Sequence, residues 1–297
     1  MKVVESFAAA RYTGSGPVGL VPTMGFFHEG HLSLMRSARD ACEWVIVSHF
    51  VNPLQFGPEE DLAAYPRDLD RDVALATQEG VDVLFVPALG EMYSDVPATR
   101  VTVDALTIGL EGRHRPGHFD GVAMAVTKLL AGLRPDRAYF GRKDAQQLAM
   151  VRRLAAELSF PTEIVGGSTV RNPDGLALSS RNSYLSEAER ASALAMFRGL
   201  EAAAALVAAG ERESRVLEQA VVDAAEVDPG FDLEYVELTD AFDVVHLKRL
   251  DREAFLAAAG SVGSTRLIDN VWFQGPELEP DLGLRLDGPS ILEGVNA

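Results

Sequence analysis

Cysteine is nearly absent: Cys42 stands alone among 297 residues, so no disulfide can form within the chain and a reducing compartment suits it. Basic residues are also scarce. Lys and Arg number 27 against 44 Asp and Glu, a formal net charge of -17. That balance excludes a general nucleic-acid binder, whose affinity comes largely from cations neutralising phosphates. No stretch supplies the run of about 18 uncharged apolar residues that a membrane-spanning helix needs, so no membrane association is expected. The opening segment, MKVVESFAAARYTGSG, lacks the apolar core of a signal peptide and carries Glu5, which argues for a cytoplasmic protein. Internal repeats and low-complexity tracts are missing too. What remains, 47% hydrophobic and 24% charged, is the balance of a folded globular chain long enough for a sizeable core.

Short β-branched runs alternate with helical patterns: residues 18–22 then 31–42, 44–51 then 68–79, and 81–87. This alternation signals βαβ units on a parallel sheet, and near-continuous apolar runs such as Val45-Ile46-Val47 suit strands covered on both faces. Further along, 122–133 reads as a helix, 137–140 as a strand, 145–158 as a helix and 163–165 as a last strand. After about residue 185 the character changes. Residues 186–209 and 212–225 are Ala-rich helical patterns, the first opened by a Ser186/Glu189 capping box, and strand candidates follow at 233–238 and 264–271. The expected fold is α/β: a Rossmann-like doubly wound parallel sheet over 1–184, a smaller α+β C-terminal domain over 185–275, and an extended or mobile tail over 276–297.

The chemistry gathers at strand ends. The first strand runs into Pro22-Thr23-Met24-Gly25-Phe26-Phe27-His28-Glu29-Gly30-His31, where a helix begins. Strand, tight loop and helix start can present backbone N–H groups and a positive helix end to phosphate. His28 and His31, three apart, can point to one side and donate hydrogen bonds to phosphate oxygens that gain charge as pyrophosphate leaves. Asn52 and Gln55, in Phe50-Val51-Asn52-Pro53-Leu54-Gln55-Phe56, emerge where open α/β sheets bind ligands, and their uncharged amides suit hydroxyls and a carboxylate. Arg115, in a second polar loop, offers a planar fork to a carboxylate or phosphate. Among Asp61, Asp68, Asp70 and Asp72, one could hold Mg²⁺ beside ATP, the rest being a solvated helix start. Phe140-Gly141-Arg142-Lys143-Asp144-Ala145-Gln146-Gln147 repeats the strand, glycine, helix-start plan with Lys143 as a point charge. Leu178-Ser179-Ser180-Arg181 sets two hydroxyls and a guanidinium in a later loop.

Together, PTMGFFHEGH, FVNPLQF, EDLAAYPR, RPGHFDGV, FGRKDAQQL, DGLALSSRNSYL and RLIDN resemble the pantoate–β-alanine ligase family of the H-x-G-H nucleotidylyltransferase superfamily. They run in the family's order and spacing from residue 22 to 270. The resemblance implies ATP-dependent joining of (R)-pantoate to β-alanine, releasing AMP and pyrophosphate, through an enzyme-bound pantoyl adenylate. It implies an ATP loop over Met24, Gly25, Phe26, Phe27, His28, Glu29, Gly30 and His31, with His31 as proton donor. Gly141, Arg142, Lys143, Asp144, Val170, Leu178, Ser179, Ser180 and Arg181 would complete the ATP site. Gln55 and Gln147 would hold pantoate, Gln55 also bordering β-alanine, with Asn52 and Arg115 as further substrate contacts and Asp72 as neighbour of the Mg²⁺ that accompanies ATP. A homodimer is implied as well. Two positions depart from the family: Arg142, where it usually has Glu, and His49, where it has an aliphatic residue. We expect Arg142 to point outward or to contact phosphate. Two other readings compete: a different H-x-G-H adenylyltransferase, disfavoured by the uncharged Asn52, Gln55 and Gln147, and a catalytically silent binding module, disfavoured by the retained histidines and Lys143.

Overall fold

The computed structural model describes residues 1–58, 60–95 and 98–293. Two units divide the chain, Met1–Gly141 with Met150–Gly167, and Arg142–Ala149 with everything from Ser168 onward. The first carries β1 (Lys2–Val4), α1 (Phe7–Ala10), β2 (Val18–Thr23), α2 (Glu29–Ala41), β3 (Trp44–His49), α3 (Leu69–Gln78), β4 (Val83–Phe85), α4 (Leu89–Met92), α5 (Leu110–His114), α6 (His118–Leu133), β5 (Arg137–Gly141) and β6 (Glu163–Gly167), with α7 (Ala145–Glu157) preceding the last strand.

Its six strands are all parallel, in the order β1-β4-β3-β2-β5-β6. From β2 the chain steps outward through β3 and β4, then returns to the other side of β2 for β5 and β6. The reversal lies between β2 and β5, and in such sheets the crevice beyond the strands' carboxyl ends at that point receives the ligand. Val21, Val45, Val47 and Leu84 pack against Leu32, Met35 and Ala38 of α2 and Ala76 of α3. Each Val, Leu or Met among them contributes about 1.5–3 kcal/mol when fully buried, which is why these apolar runs form the centre. Cys42 is buried here, its Sγ 3.7 Å from the Tyr139 hydroxyl. The sequence reading placed no strand at Lys2–Val4. That strand is only three residues long and lies at the sheet's edge, so little pattern marks it.

The second unit holds β7 (Val170–Arg171), α8 (Glu187–Ala208), α9 (Ser214–Glu226), β8 (Asp232–Asp240), β9 (Ala254–Val262), β10 (Thr265–Gln274), β11 (Glu279–Asp281) and β12 (Leu284–Arg285). Strands β11-β10-β9-β8 form an antiparallel sheet, and β12 pairs in parallel with β7. Leu200, Ala203 and Val207 of α8 and Leu217 and Val221 of α9 share a core with Leu238, Leu256, Leu267 and Val271 of the sheet. Helix α8 is long and apolar enough by composition to cross a membrane, but half of it is buried inside the unit, as in a core helix. Ser186 does cap it, accepting from the Glu189 N–H while Glu189 returns to the Ser186 N–H. Strand β9 escaped the sequence reading because Ala-Ala-Ala favours helix; burial along nearly its whole length between β8 and β10 overrides that preference. From the segment after Pro276 come β11 and β12, while residues 294–297 of the expected tail lie outside the described residues.

Candidate active site

At the carboxyl end of β2 the chain turns through two consecutive left-handed residues, Gly25 at φ +87° and Phe26 at φ +52°. A non-glycine residue costs about 1–3 kcal/mol in that region, so something must hold Phe26 there. The holder is Asp72. Its carboxylate, fully buried on the first turn of α3, accepts the Phe26 N–H at 2.6 Å and the Phe27 N–H at 2.8 Å, and receives His49 Nε2 at 2.9 Å. Arg71 adds a grip from the same helix: its Nη1 donates to the Phe27 carbonyl at 2.9 Å, and its guanidinium lies 5.5 Å from the Phe26 ring centroid. This corrects the sequence assignment of Asp72 to Mg²⁺. Both oxygens are spent on the loop and no face of the group reaches solvent.

The loop's other donors are committed as well. The Gly25 N–H meets Thr23 Oγ1, the His28 N–H meets His31 Nδ1, the Gly30 N–H meets His28 Nδ1, and the His31 N–H meets the His28 carbonyl. The N–H groups of Gly25 to His28, Gly30 and His31 thus all donate to protein groups, those of Phe26 and Phe27 to Asp72 on α3, rather than standing as a row held out to phosphate. The two imidazoles are the acceptors in two of these bonds. Each Nδ1 accepts a hydrogen bond, which puts the ring proton of the neutral form on Nε2 and makes Nε2 a donor. The rings lie side by side, centroids 4.1 Å apart, as a reciprocal cap on α2. Glu29, in the first turn, complements the positive end of that helix.

Gln55 stands in a short 3-10 turn after β3, its Nε2 3.1 Å from Met24 Sδ and its Oε1 3.0 Å from Asn52 Nδ2. Asn52 itself is 2% exposed. Its Nδ2 also donates to the Gly121 carbonyl at 3.0 Å, and its Oδ1 accepts from the Leu54 N–H and the Tyr93 hydroxyl at 2.8 Å. The donors and acceptor of Asn52 are thus engaged within the protein, one of them on Gln55. Arg115 is likewise occupied: it makes a bidentate pair with Glu60 at 2.8 and 2.7 Å and donates to His118 Nε2 at 3.2 Å. His118 Nδ1 then donates to the Gln55 carbonyl at 2.8 Å. Burial, and next the Arg115 guanidinium, hold His118 below the usual histidine range, so it is the neutral ring this geometry requires. Burial also raises the Tyr93 phenol, keeping it a donor.

In the second unit Arg142, Lys143 and Asp144 form a 3-10 turn ahead of α7, with Gln147 on that helix's first turn. Asn270 Nδ2 donates to the carbonyls of Arg142 and Lys143 at 3.0 and 2.7 Å, and Trp272 Nε1 donates to the Arg142 carbonyl at 3.0 Å. The Arg142 guanidinium pairs with Asp281 at 2.9 Å and lies 5.6 Å from the Trp272 ring centroid. The side chain is thus partnered within its own unit, about a fifth of it exposed. Lys143 shares a small cavity with Ser179, Asn182 and Asp269. Ser179 caps the 3-10 turn Ser180–Tyr184 by accepting from the Arg181 N–H, and the Leu178 N–H bonds to the Val170 carbonyl, which seats both apolar residues in the core.

Sequence reasoning missed the pair beneath this turn. Arg171, fully buried, binds Asp269 at 2.5 and 2.9 Å, the Gly175 carbonyl at 3.1 Å and the Asn270 carbonyl at 3.2 Å, and its Nε donates to Leu282. The signal for it in the sequence is the segment RLIDN. It carries two adjacent residues of β10, Asp269 neutralising Arg171 and Asn270 clamping the Lys143 turn.

A doubly wound parallel sheet with an H-x-G-H pair at the end of its central strand defines the class as a nucleotidylyltransferase-type α/β enzyme. The profile of the pantoate-beta-alanine ligase family matches residues 1–272, and the chain belongs to that family. It is 51% identical over 264 residues to the pantothenate synthetase of Moorella thermoacetica, covering 89% of this chain and 93% of the relative. It is 49% identical over 267 residues to that of Roseiflexus castenholzii, covering 90% and 96%. Among solved structures, pantothenate synthetase from Thermus thermophilus superposes with a TM-score of 0.88 at 44% identity, covering 94% of this chain and 100% of the other. Pantoate-beta-alanine ligase from Francisella tularensis, complexed with beta-gamma ATP and beta-alanine, gives 0.74 at 32% identity, covering 93% and 99%.

Proposed function

We infer that the chain condenses (R)-pantoate with β-alanine to pantothenate at the expense of ATP, yielding AMP and pyrophosphate. The observation that carries this reading is the paired Nε2 donors of His28 and His31 at the end of the central strand, in a member of the pantoate-beta-alanine ligase family. A carboxylate is a poor electrophile. A pantoate carboxylate oxygen attacks the α-phosphorus of ATP, the bond to the bridging oxygen breaks, and pyrophosphate leaves with that electron pair. Donors aimed where charge develops lower this barrier more than the ground state. His31, as proton donor, and His28 would meet the phosphates through Nε2, with Lys143, Ser179, Ser180 and Arg181 as further contacts. Gln55 and Gln147 would orient pantoate.

The β-alanine amine then attacks the acyl carbon of the adenylate, AMP leaves, and the nitrogen sheds a proton. Neither step needs an enzyme nucleophile, and buried Cys42 is not recruited. No cluster of three or more His, Cys, Asp or Glu suited to a metal occurs among the described residues, and Asp72 is spent on the loop. Mg²⁺ would enter with ATP and supply charge neutralisation at its phosphates. A cytoplasmic homodimer is the setting we propose. The test is release of AMP and pyrophosphate from ATP plus pantoate, with and without β-alanine. AMP release that depends on β-alanine is expected; ATP turnover indifferent to both acids would refute the assignment.

A further inference from the structure

We propose that His49, through the buried carboxylate of Asp72, is a third histidine of the H-x-G-H site: a positioning residue that fixes where His28 and His31 present their Nε2 donors. The inference rests on the reading above for the identity of the transferred group and on the structure for its geometry.

His49 closes β3 and lies in register with Thr23, the last residue of β2, so its ring stands directly beside the start of the histidine loop. A carboxylate can only accept here, so Nε2 of His49 carries a proton and donates to Asp72 Oδ2. That same oxygen takes the Phe26 N–H, while Oδ1 takes the Phe27 N–H. Three donors thus converge on a carboxylate cut off from water, and His49 supplies the one that does not belong to the loop. A buried carboxylate that loses a donor must recruit another or draw its remaining partners closer. Its remaining partners are the two amides that hold the left-handed turn and the Arg71 guanidinium, 3.6 Å from Oδ1.

The ring is also a steric template. A Cβ on Gly25 would come within 2.4 Å of His49 Nε2, so the loop can pass over the imidazole only because residue 25 has no side chain. Phe27 packs edge-on against the same ring, centroids 5.7 Å apart, and also lies 5.6 Å from the His31 ring. A continuous path of contact therefore runs from His49 through Phe27 to His31, and from Asp72 through the Phe26 and Phe27 amides to the His28 cap. In-line transfer tolerates little misplacement of its donors, since a shift of about 1 Å can cost on the order of 100-fold in rate.

The test separates hydrogen bond from bulk. His49→Gln keeps a donor at the ε position; His49→Leu keeps the bulk and removes it. Expected for His49→Leu are amide hydrogen exchange at Phe26 and Phe27 at least about 10-fold faster and kcat for AMP release lowered about 10- to 100-fold, with KM for ATP within about threefold. His49→Gln should stay within about threefold of the parent in all three. Two results overturn the proposal: His49→Leu leaving exchange and kcat unchanged, or Gln and Leu failing equally. Should either variant not fold, the parent protein still decides, because its imidazole ¹⁵N spectrum must show His49 Nε2 protonated, and a bare Nε2 refutes the geometry. Exchange and spectrum need no turnover, so they stand even if the parent fails the β-alanine assay, which would sink the functional reading instead.

Discussion

Reversing the charge at Arg142 tests what that residue is for. Its guanidinium bonds Asp281 at 2.9 Å with both side chains about a quarter exposed, and it lies over Trp272. A charge-assisted bond in that setting contributes about 1–2 kcal/mol, and the cation–π contact about 0.5–1 kcal/mol more. Arg142→Glu loses both and sets two carboxylates against each other, a repulsion of at most about 4 kcal/mol near a protein surface, much of it relieved as the side chains rotate away. We expect a net loss of about 2–4 kcal/mol, read as a melting temperature lower by about 5–10 °C in scanning fluorimetry. The turn's carbonyls keep their bonds to Asn270 and Trp272, so KM for ATP should rise by less than about fivefold. Adding Asp281→Arg to Arg142→Glu should recover most of the loss, because the pair is remade with its polarity exchanged. An unchanged melting temperature with KM for ATP raised 10-fold or more would refute this, since it is the signature of a lost phosphate contact.

His118 is held below the ordinary histidine value by burial and by Arg115, so the folded chain keeps it neutral where the unfolded chain takes up a proton. Its stabilising effect is complete above about pH 6.5 and is lost as the pH falls below that. Urea midpoints at pH 7.5 and 5.5 should therefore differ more in the parent than in His118→Gln; equal differences would contradict the assignment. Asp269→Asn strips the charge partner from fully buried Arg171 and should cost about 3–5 kcal/mol in urea unfolding, whereas Arg171→Met with Asp269→Leu should cost much less. Asn52→Ala releases Gln55 and should raise KM for pantoate about 10-fold with kcat within about threefold; a kcat effect alone would argue that Asn52 acts on the transition state.

The parallel sheet was legible because strands such as β2 and β3 are apolar runs covered on both faces, and that pattern lies entirely within the strand. The H-x-G-H pair was legible for the same reason, being local. Partner choice was not. Asp72 lies 46 residues from Phe26, and Asn52 lies 69 from Gly121. From the sequence each is a polar group with spare capacity, and only folding reveals that another part of the chain consumes it. Asp72, Asn52 and Arg115 were all read as ligand contacts, and all three turn out to spend their hydrogen bonds on residues that shape the site. Strand β9 went unread because burial, not propensity, makes Ala-Ala-Ala extended.

Strands β9 and β10 are joined by two residues, Gly263 and Ser264, with Gly263 at φ +55° in the first central position, the type II′ arrangement that fixes hairpin pairing. Asp269 and Asn270 follow on β10 and face opposite ways, one serving Arg171 and the other the carbonyls of Arg142 and Lys143. The hairpin turn thus acts as a ruler. One residue inserted at Ser264 would slide the strand by a step and put an acid where the amide belongs. Length at an outlying turn is therefore as constrained as chemistry at the Lys143 loop, and a graft of this C-terminal sheet between relatives would succeed or fail on its count of residues before its identity.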